Sequence, residues 1–288
     1  HLNCLKYAHE NGCQPTSDVV ETSIKNGHLN CLKYAHEHGF PTVDKMVRLA
    51  VDYGHLNCLI YLVEVVKDTT NMQNDSIFVS AIDNLLCFDY LIKKGYRPSN
   101  NFISFLIDNQ DLECLDYLIN SGIDMGDNVM LELAENGLLK QMILLHNNGK
   151  DLPPNTCTEA ARNRHLKCLT YAHTNGSPLT DGLCTIAADS GSIECLKYAY
   201  ENGCPFDENT FKVAVEPEGI VCLKYVTENG CVLDESAFIA AIEYDNSEAV
   251  NYLIDNDCPY TIKIREQALI NYPNVPACLK IINERLTF

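Results

Sequence analysis

No stretch of this 288-residue chain approaches the ~18–20 consecutive apolar residues that a membrane-spanning helix requires. Insertion into a membrane is therefore not expected. A secretory leader is not expected either, because a charged start followed by a short apolar core is missing. The alternation of apolar and polar residues that marks strands is absent as well. So are the GxSxG elbow, the phosphate-cradling glycine loop and the HExxH pair. These absences predict a protein that is not an enzyme and carries no cofactor. Cations are scarce: the net charge is −18. Residues 98–139 hold eight acids and no Lys or Arg, and residues 225–262 repeat that count. Nucleic-acid binding needs clustered cations to displace counterions, so nucleic acid and anionic membrane surfaces are poor partners. A basic protein surface would be steered toward these blocks. The same acidity also serves solubility.

What the chain does have is a period. HLNCLKYAHENG at 1–12 returns as HLNCLKYAHEHG at 28–39, HLKCLTYAHTNG at 165–176 and SIECLKYAYENG at 192–203. One register runs through Tyr7, Tyr34, Tyr61, Tyr90, Tyr117, Tyr171, Tyr198, Tyr225 and Tyr252, with Leu144 and Ile281 in the same slot. That makes eleven copies. Eight of the ten intervals are 27 residues; Tyr61 to Tyr90 and Tyr252 to Ile281 are 29. A fixed period of this size means stacked units, each too thin to bury its own apolar face. One elongated domain over 1–288 is expected, with the unit at about 261–288 as a polar-ended cap. Because the chain opens inside a second helix at His1, a fragment with further sequence ahead of it is expected.

Each unit reads as two helices. In 203–230, Asp207 is placed as an N-cap before Phe211, Ala214 and Val215. Val221, Leu223, Tyr225 and Val226 supply the apolar face of a second helix, and Gly230 follows at C′. The same glycine recurs at 12, 39, 95, 122, 149, 176 and 203. A second glycine, at 27, 54, 137, 191 and 219, is read as ending the first helix.

The pattern Gly-His-Leu-x-Cys-Leu-Lys-Tyr-Ala-x-Glu-Asn-Gly, preceded by a short Ala-rich helix (EAARNR at 159–164, IAADSG at 186–191), resembles the ankyrin repeat over essentially the whole chain. It departs from that pattern in its shorter period and in lacking the Thr-Pro-Leu-His tetrapeptide. It looks like the short type seen in giant DNA viruses and some protists. The resemblance implies an all-α, ankyrin-like solenoid with β-hairpin fingers reduced or absent. It also implies first helices on a concave face and second helices on a convex one. The function implied is a protein–protein interaction scaffold, or the substrate-reading part of a ubiquitin-ligase adaptor. A structural virion or assembly component is the alternative.

Nine of the fifteen cysteines fill one slot: Cys4, Cys31, Cys58, Cys87, Cys114, Cys168, Cys195, Cys222 and Cys278. Equivalent positions in stacked helix pairs lie ~10 Å apart, and a disulfide needs Cα atoms within about 7 Å. These are therefore expected to be small buried thiols in a reducing, intracellular setting, with a virion as the alternative location. The metal-like set Cys4, His9 and Cys13 dissolves between copies, since Phe40, Ser177 and Tyr200 replace its members; no metal is expected. His1, His28, His55 and His165 open second helices, where a bond across the turn between helices is expected. His9, His36 and His173 are expected to rest mid-helix beside an acid or polar neighbour. Asn74-Asp-Ser76 is a glycosylation sequon without meaning in the cytosol.

Second helices are monotonous and first helices vary, which frees first-helix positions for recognition. The candidate partner-binding residues are Arg48, Asp52, Tyr53, Asp108, Asn109, Glu132, Glu135, Asp189, Glu216, Glu243 and Tyr244, with Glu21, Lys25 and Lys212 beside them. Tyr53 and Tyr244 match the aromatic enrichment of binding hot spots. The degenerate copy LLKQMILLHNNG at 138–149 leaves three readings open: a bend, a partner site, or tolerated repacking.

Overall fold

The computed structural model describes residues 1–43, 45–67, 75–207, 209–217, 219–231, 235–261, 266, 270–271 and 276–285. Among them every regular element is a helix. The polar insertion that follows Lys67, Asn74 of the sequon, and the link at Pro273 lie outside the described residues.

Contacts divide the chain into two compact units, His1–Gly126 and Asp127–Phe288. In the first, the first helices of the pairs are α2 (Ser17–Lys25), α4 (Met46–Asp52), α6 (Asp75–Ala81) and α8 (Asn100–Asp108). The second helices are α1 (Leu2–Glu10), α3 (Leu29–Glu37), α5 (Leu56–Tyr61), α7 (Leu85–Lys93) and α9 (Leu112–Asn120). A π turn, Leu62–Val66, continues α5 directly ahead of the insertion. In the second unit the first helices are α10 (Val129–Glu135), α12 (Thr156–Arg162), α14 (Leu183–Asp189), α16 (Thr210–Ala214) and α18 (Glu235–Glu243). Their partners are α11 (Leu139–Asn147), α13 (Leu166–Thr174), α15 (Ile193–Glu201), α17 (Ile220–Glu228) and α19 (Ser247–Asp255), followed by a terminal helix, Pro276–Arg285. The packing is nearest-neighbour: α2, α4, α6 and α8 touch in order, as do α10, α12, α14, α16 and α18. This is a helical repeat fold.

Helices of seven to nine residues are too short to stand alone in water, so packing must hold them. The second helices after α1 bury a narrow stripe, such as Cys168, Leu169 and Ala172 in α13 or Cys195, Leu196 and Ala199 in α15. The first helices bury Cys157, Ala160 and Ala161 in α12, and Leu183, Cys184, Ala187 and Ala188 in α14. These small side chains let neighbouring backbones approach within the second unit, so its core is thin.

The helix ends follow from the motif's last residues. After α3, Gly39 (φ +68) donates its N–H to His36 O at 3.2 Å and Phe40 donates to Ala35 O at 2.9 Å, the paired bonds of a Schellman cap. Phe40 is buried there. The asparagine before this glycine donates to the carbonyl of its own register tyrosine: Asn11 to Tyr7, Asn175 to Tyr171, Asn202 to Tyr198 and Asn229 to Tyr225, each at 2.8 Å; Asn256, ahead of the left-handed Asp257, does the same to Tyr252 at 2.8 Å.

Three expectations need correction. Gly219 does not end a first helix in the left-handed region; it is the N-cap of α17 at φ −91, where a Cβ would meet Ala214 O at 2.5 Å. Asp207 lies upstream of the N-cap Asn209, yet its Oδ1 accepts from Thr210 N at 2.8 Å and Asn209 N at 2.9 Å, so it caps the helix from the turn before it. Cys4 is exposed, while the other eight cysteines of its slot are buried. The slot packs on the first helix of the preceding pair: Cys114 Sγ donates to Ile82 O at 3.6 Å and Cys278 Sγ to Ala241 O at 3.8 Å. No first helix precedes α1 in the described chain. All fifteen cysteines are free thiols.

Candidate functional site

The repeated second-helix residues are committed to holding one pair on the next. The mid-helix histidines do not rest on nearby acids. Their Nδ1 atoms meet the register tyrosine hydroxyl of the following pair: His9–Tyr34 at 3.0 Å, His36–Tyr61 at 2.8 Å, His146–Tyr171 at 2.8 Å and His173–Tyr198 at 2.9 Å. In two pairs that lack the histidine a carboxylate takes its place: Tyr117 OH donates to Asp89 at 2.6 Å and Tyr90 OH to Glu64 at 3.3 Å. Lys6, Lys33, Lys197 and Lys224 each place Nζ 5.4–6.0 Å above the ring of the tyrosine in the following pair.

Three of the residues that open second helices reach back to the preceding pair. His55 Nε2 bonds Lys25 O at 2.9 Å, Asn84 Nδ2 donates to Gly54 O at 3.4 Å, and Asn246 Nδ2 donates to Val215 O at 2.7 Å. This explains the glycine of the first-helix turn. A Cβ on Gly27 would lie 2.6 Å from His55 Nδ1, and one on Gly137 2.6 Å from His165 Nδ1. His1 and His28 stack instead, with ring centroids 4.3 Å apart. These contacts join positions about thirty residues apart that no local motif connects. The only hint in the sequence is that His, Asn and Gly keep the period.

Most of the candidate recognition residues fall in the last turns of first helices or just beyond them. Asp52, Asp108, Glu135, Asp189 and Glu243 are the final residues of α4, α8, α10, α14 and α18, and all are exposed. Arg48, half-buried, pairs with Asp52 at 3.7 Å. Tyr53 is half-exposed, with Lys25 Nζ 5.9 Å from its ring centre, and Lys25 is held by Glu21 at 2.5 Å. Asn109 caps its own helix by donating to Phe105 O at 2.8 Å. Glu132 and Glu216 are half-buried. Tyr244 donates to Glu216; this bond, burial and the charges of Glu216, Glu243 and Asp189 push its hydroxyl up. The fold thus gathers Asp189, Glu216, Glu243 and Tyr244, and leaves Glu132 and Glu135 on α10. Asp83 and Phe105, exposed on the same faces of the first unit, and Arg162, exposed at the end of α12, were not singled out from the sequence. A groove of about 500 Å³ lies beside Glu21, Val43, Lys45, Arg48, Leu49 and Asp52. In copy 138–149, Gln141, Met142 and Leu145 are buried, so the degenerate run supplies core.

Among the described residues, no three His, Cys, Asp or Glu side chains form a metal-binding group. No helix there is long and apolar enough to cross a membrane. Compared with known families, the chain matches no family model, and a comparison with curated proteins finds no match.

Proposed function

We propose that this chain is a non-enzymatic protein–protein interaction scaffold that binds a partner with a basic surface along its first-helix faces. The observation that carries this reading is a division of labour. The repeated second-helix side chains are spent on contacts between pairs, while the varied residues at first-helix ends stay exposed. Variation within a constant frame is what a recognition surface needs. The first-helix ends are predominantly anionic, which favours a cationic partner. The proposal includes the ankyrin-like assignment, supported by helix pairs that pack neighbour on neighbour.

The test places a photo-crosslinking residue at position 52, 108, 189 or 243, and for comparison at the second-helix positions 57 or 167. Partner crosslinks are expected from the first set, and from a wild-type bait but not one carrying Lys at those four positions. Equal crosslinking from positions 57 and 167 would overturn the proposal. Stoichiometric recovery with purified particles, without soluble crosslinks, would favour an assembly component instead.

A further inference from the structure

Seven Asn-Gly steps punctuate the helix ends, with the asparagine at 11, 26, 136, 148, 175, 202 and 229. The glycine lies at φ +66 to +100 in all seven, so the cap itself calls for it. The same glycine makes the step chemically fragile. It has no Cβ to shield its nitrogen from the asparagine side chain, and its backbone turns freely. Asparagine amides are among the thermolabile groups of a protein.

The cap holds the reacting atoms apart. Each of the seven glycine N–H groups donates to the carbonyl three residues before it, at 2.9–3.3 Å. The nitrogen cannot shed its proton without losing that bond. The asparagine Nδ2 donates back along the helix to the carbonyl four residues earlier, at 2.8 Å for Asn11, Asn26, Asn175, Asn202 and Asn229 and at 3.0 Å for Asn136. The asparagine ψ is +2 to +24 at all seven, so the glycine nitrogen nearly eclipses the asparagine's own backbone nitrogen. Closure of a five-membered ring needs it to eclipse Cβ instead. All but Asn136 are exposed, so geometry rather than burial restrains them.

We infer that these caps are sites of spontaneous deamidation gated by local opening, and that the five at second-helix ends convert ahead of the two at first-helix ends. In an opened cap the glycine nitrogen gives its proton to water and attacks asparagine Cγ. The N–Cγ bond forms, the Cγ–Nδ2 bond breaks, and Nδ2 takes up a proton from water and leaves as ammonia. Water then opens the cyclic imide at one of its two carbonyls, giving aspartate or its β-linked isomer. Either product has a carboxylate where an amide donated, so the bond back to the helix carbonyl is lost. The new charge sits at a helix C-terminus, where the dipole is already negative. The β-linked product also lengthens the backbone by one atom. Conversion is therefore one-way and leaves the cap weakened.

The two classes differ in what surrounds the glycine. A Cβ on Gly12, Gly149, Gly176, Gly203 or Gly230 would meet no described atom within 4 Å, so these turns open locally. A Cβ on Gly27 or Gly137 would lie 2.6 Å from Nδ1 of His55 or His165. His55 is itself bonded to Lys25 O. Opening at these two must displace a side chain of the next pair as well.

The test holds the whole chain at pH 8, with its thiols kept reduced, in buffer and in guanidinium chloride, and follows each asparagine by peptide mapping. In denaturant the seven Asn-Gly steps should convert at similar rates. They should run ahead of Asn109, Asn163 and Asn256, which make the same bond back along the helix but precede Gln110, Arg164 and Asp257. In buffer the five second-helix caps should convert at least about tenfold more slowly than in denaturant, and Asn26 and Asn136 at least about threefold more slowly again. His55→Ala should bring Asn26 level with the five and leave Asn136 unchanged. Equal rates in buffer and denaturant overturn the inference, as do Asn26 and Asn136 reacting as fast as the second-helix caps. A rise at both Asn26 and Asn136 in His55→Ala counts against the local clamp. An Asn202→Asp chain that unfolds at the wild-type midpoint overturns the weakening of the cap. None of these outcomes bears on what the first-helix faces bind.

Discussion

His36 Nδ1 lies 2.8 Å from the hydroxyl of Tyr61, one repeat further along the chain. The Tyr61 ring is buried, and Lys33 Nζ sits 5.6 Å from its centre. One tyrosine therefore receives a histidine and a lysine from the pair before it. This is why Lys-Tyr-Ala-His recurs as a block: its Lys and His serve the next copy's Tyr.

Tyr61→Phe should keep the burial and the lysine contact and lose only the hydroxyl. A cost of about 0.5–1 kcal/mol is expected, at the low end for a hydrogen bond because His36 is exposed. Urea unfolding of the single and double variants with His36→Ala checks this. A double-mutant cycle showing no coupling between the two sites would remove the bond from the interface.

Gly27 and Gly39 have nearly the same φ, +66 and +68, but only Gly27 faces a side chain of the next pair. Alanine at either site bears the left-handed strain, about 1 kcal/mol. Gly27→Ala must also displace His55 and its bond to Lys25 O. It is expected to cost about 1 kcal/mol more than Gly39→Ala, and His55→Ala should erase most of that excess. Equal denaturation midpoints for the two glycine variants would contradict the clamp.

Burial pushes the thiols of Cys87, Cys168 and Cys222 up to about 11, and those of Cys114, Cys184 and Cys278 to about 12. Thiolate is the reactive form, so these six should resist alkylation in the folded chain. Cys4 and Cys13 are exposed and should react first. Peptide mapping after brief iodoacetamide treatment at pH 8 checks the order; early modification of Cys114 would show that its pair opens readily.

Hydrogen bonds from Tyr117 and Lys93 outweigh burial and hold the Asp89 carboxyl below its ordinary value of 3.8. Its folded value is depressed, so its stabilisation is complete above the ordinary carboxylate range and is lost as pH falls through the folded value. Asp89→Asn should cost about 1 kcal/mol at pH 7. That difference should shrink as pH drops below about 4. A difference that persists unchanged at pH 2.5 would assign the cost to packing.

Much of the helix-pair frame was legible in the chain. The period located every second helix, and the glycines at 39, 176 and 203 marked ends that are left-handed in the fold. Other ends were illegible, because Gln110, Arg164 and Asp245 adopt the same conformation without glycine (φ +54, +64 and +49). The candidate face was half legible. Asp52, Tyr53 and Glu243 stood out as variable and charged or aromatic. Phe105 was not singled out, because the spacing of apolar residues cannot tell a buried phenylalanine from one riding on another's ring.

By itself the sequence determined what repeats: the two-helix period, the cysteine slot and the capping Asn-Gly. The period and the capping Asn-Gly depend on contacts within about one turn, where spacing along the chain equals spacing in the helix; the cysteine slot is legible because it keeps the period. Only the tertiary structure decided which copies meet. The bond from His55 to Lys25 O and the contact of His173 with Tyr198 span 30 and 25 residues. Their partners are brought together by the stacking of one pair on the next, a geometry that the period implies but that only packed side chains make specific.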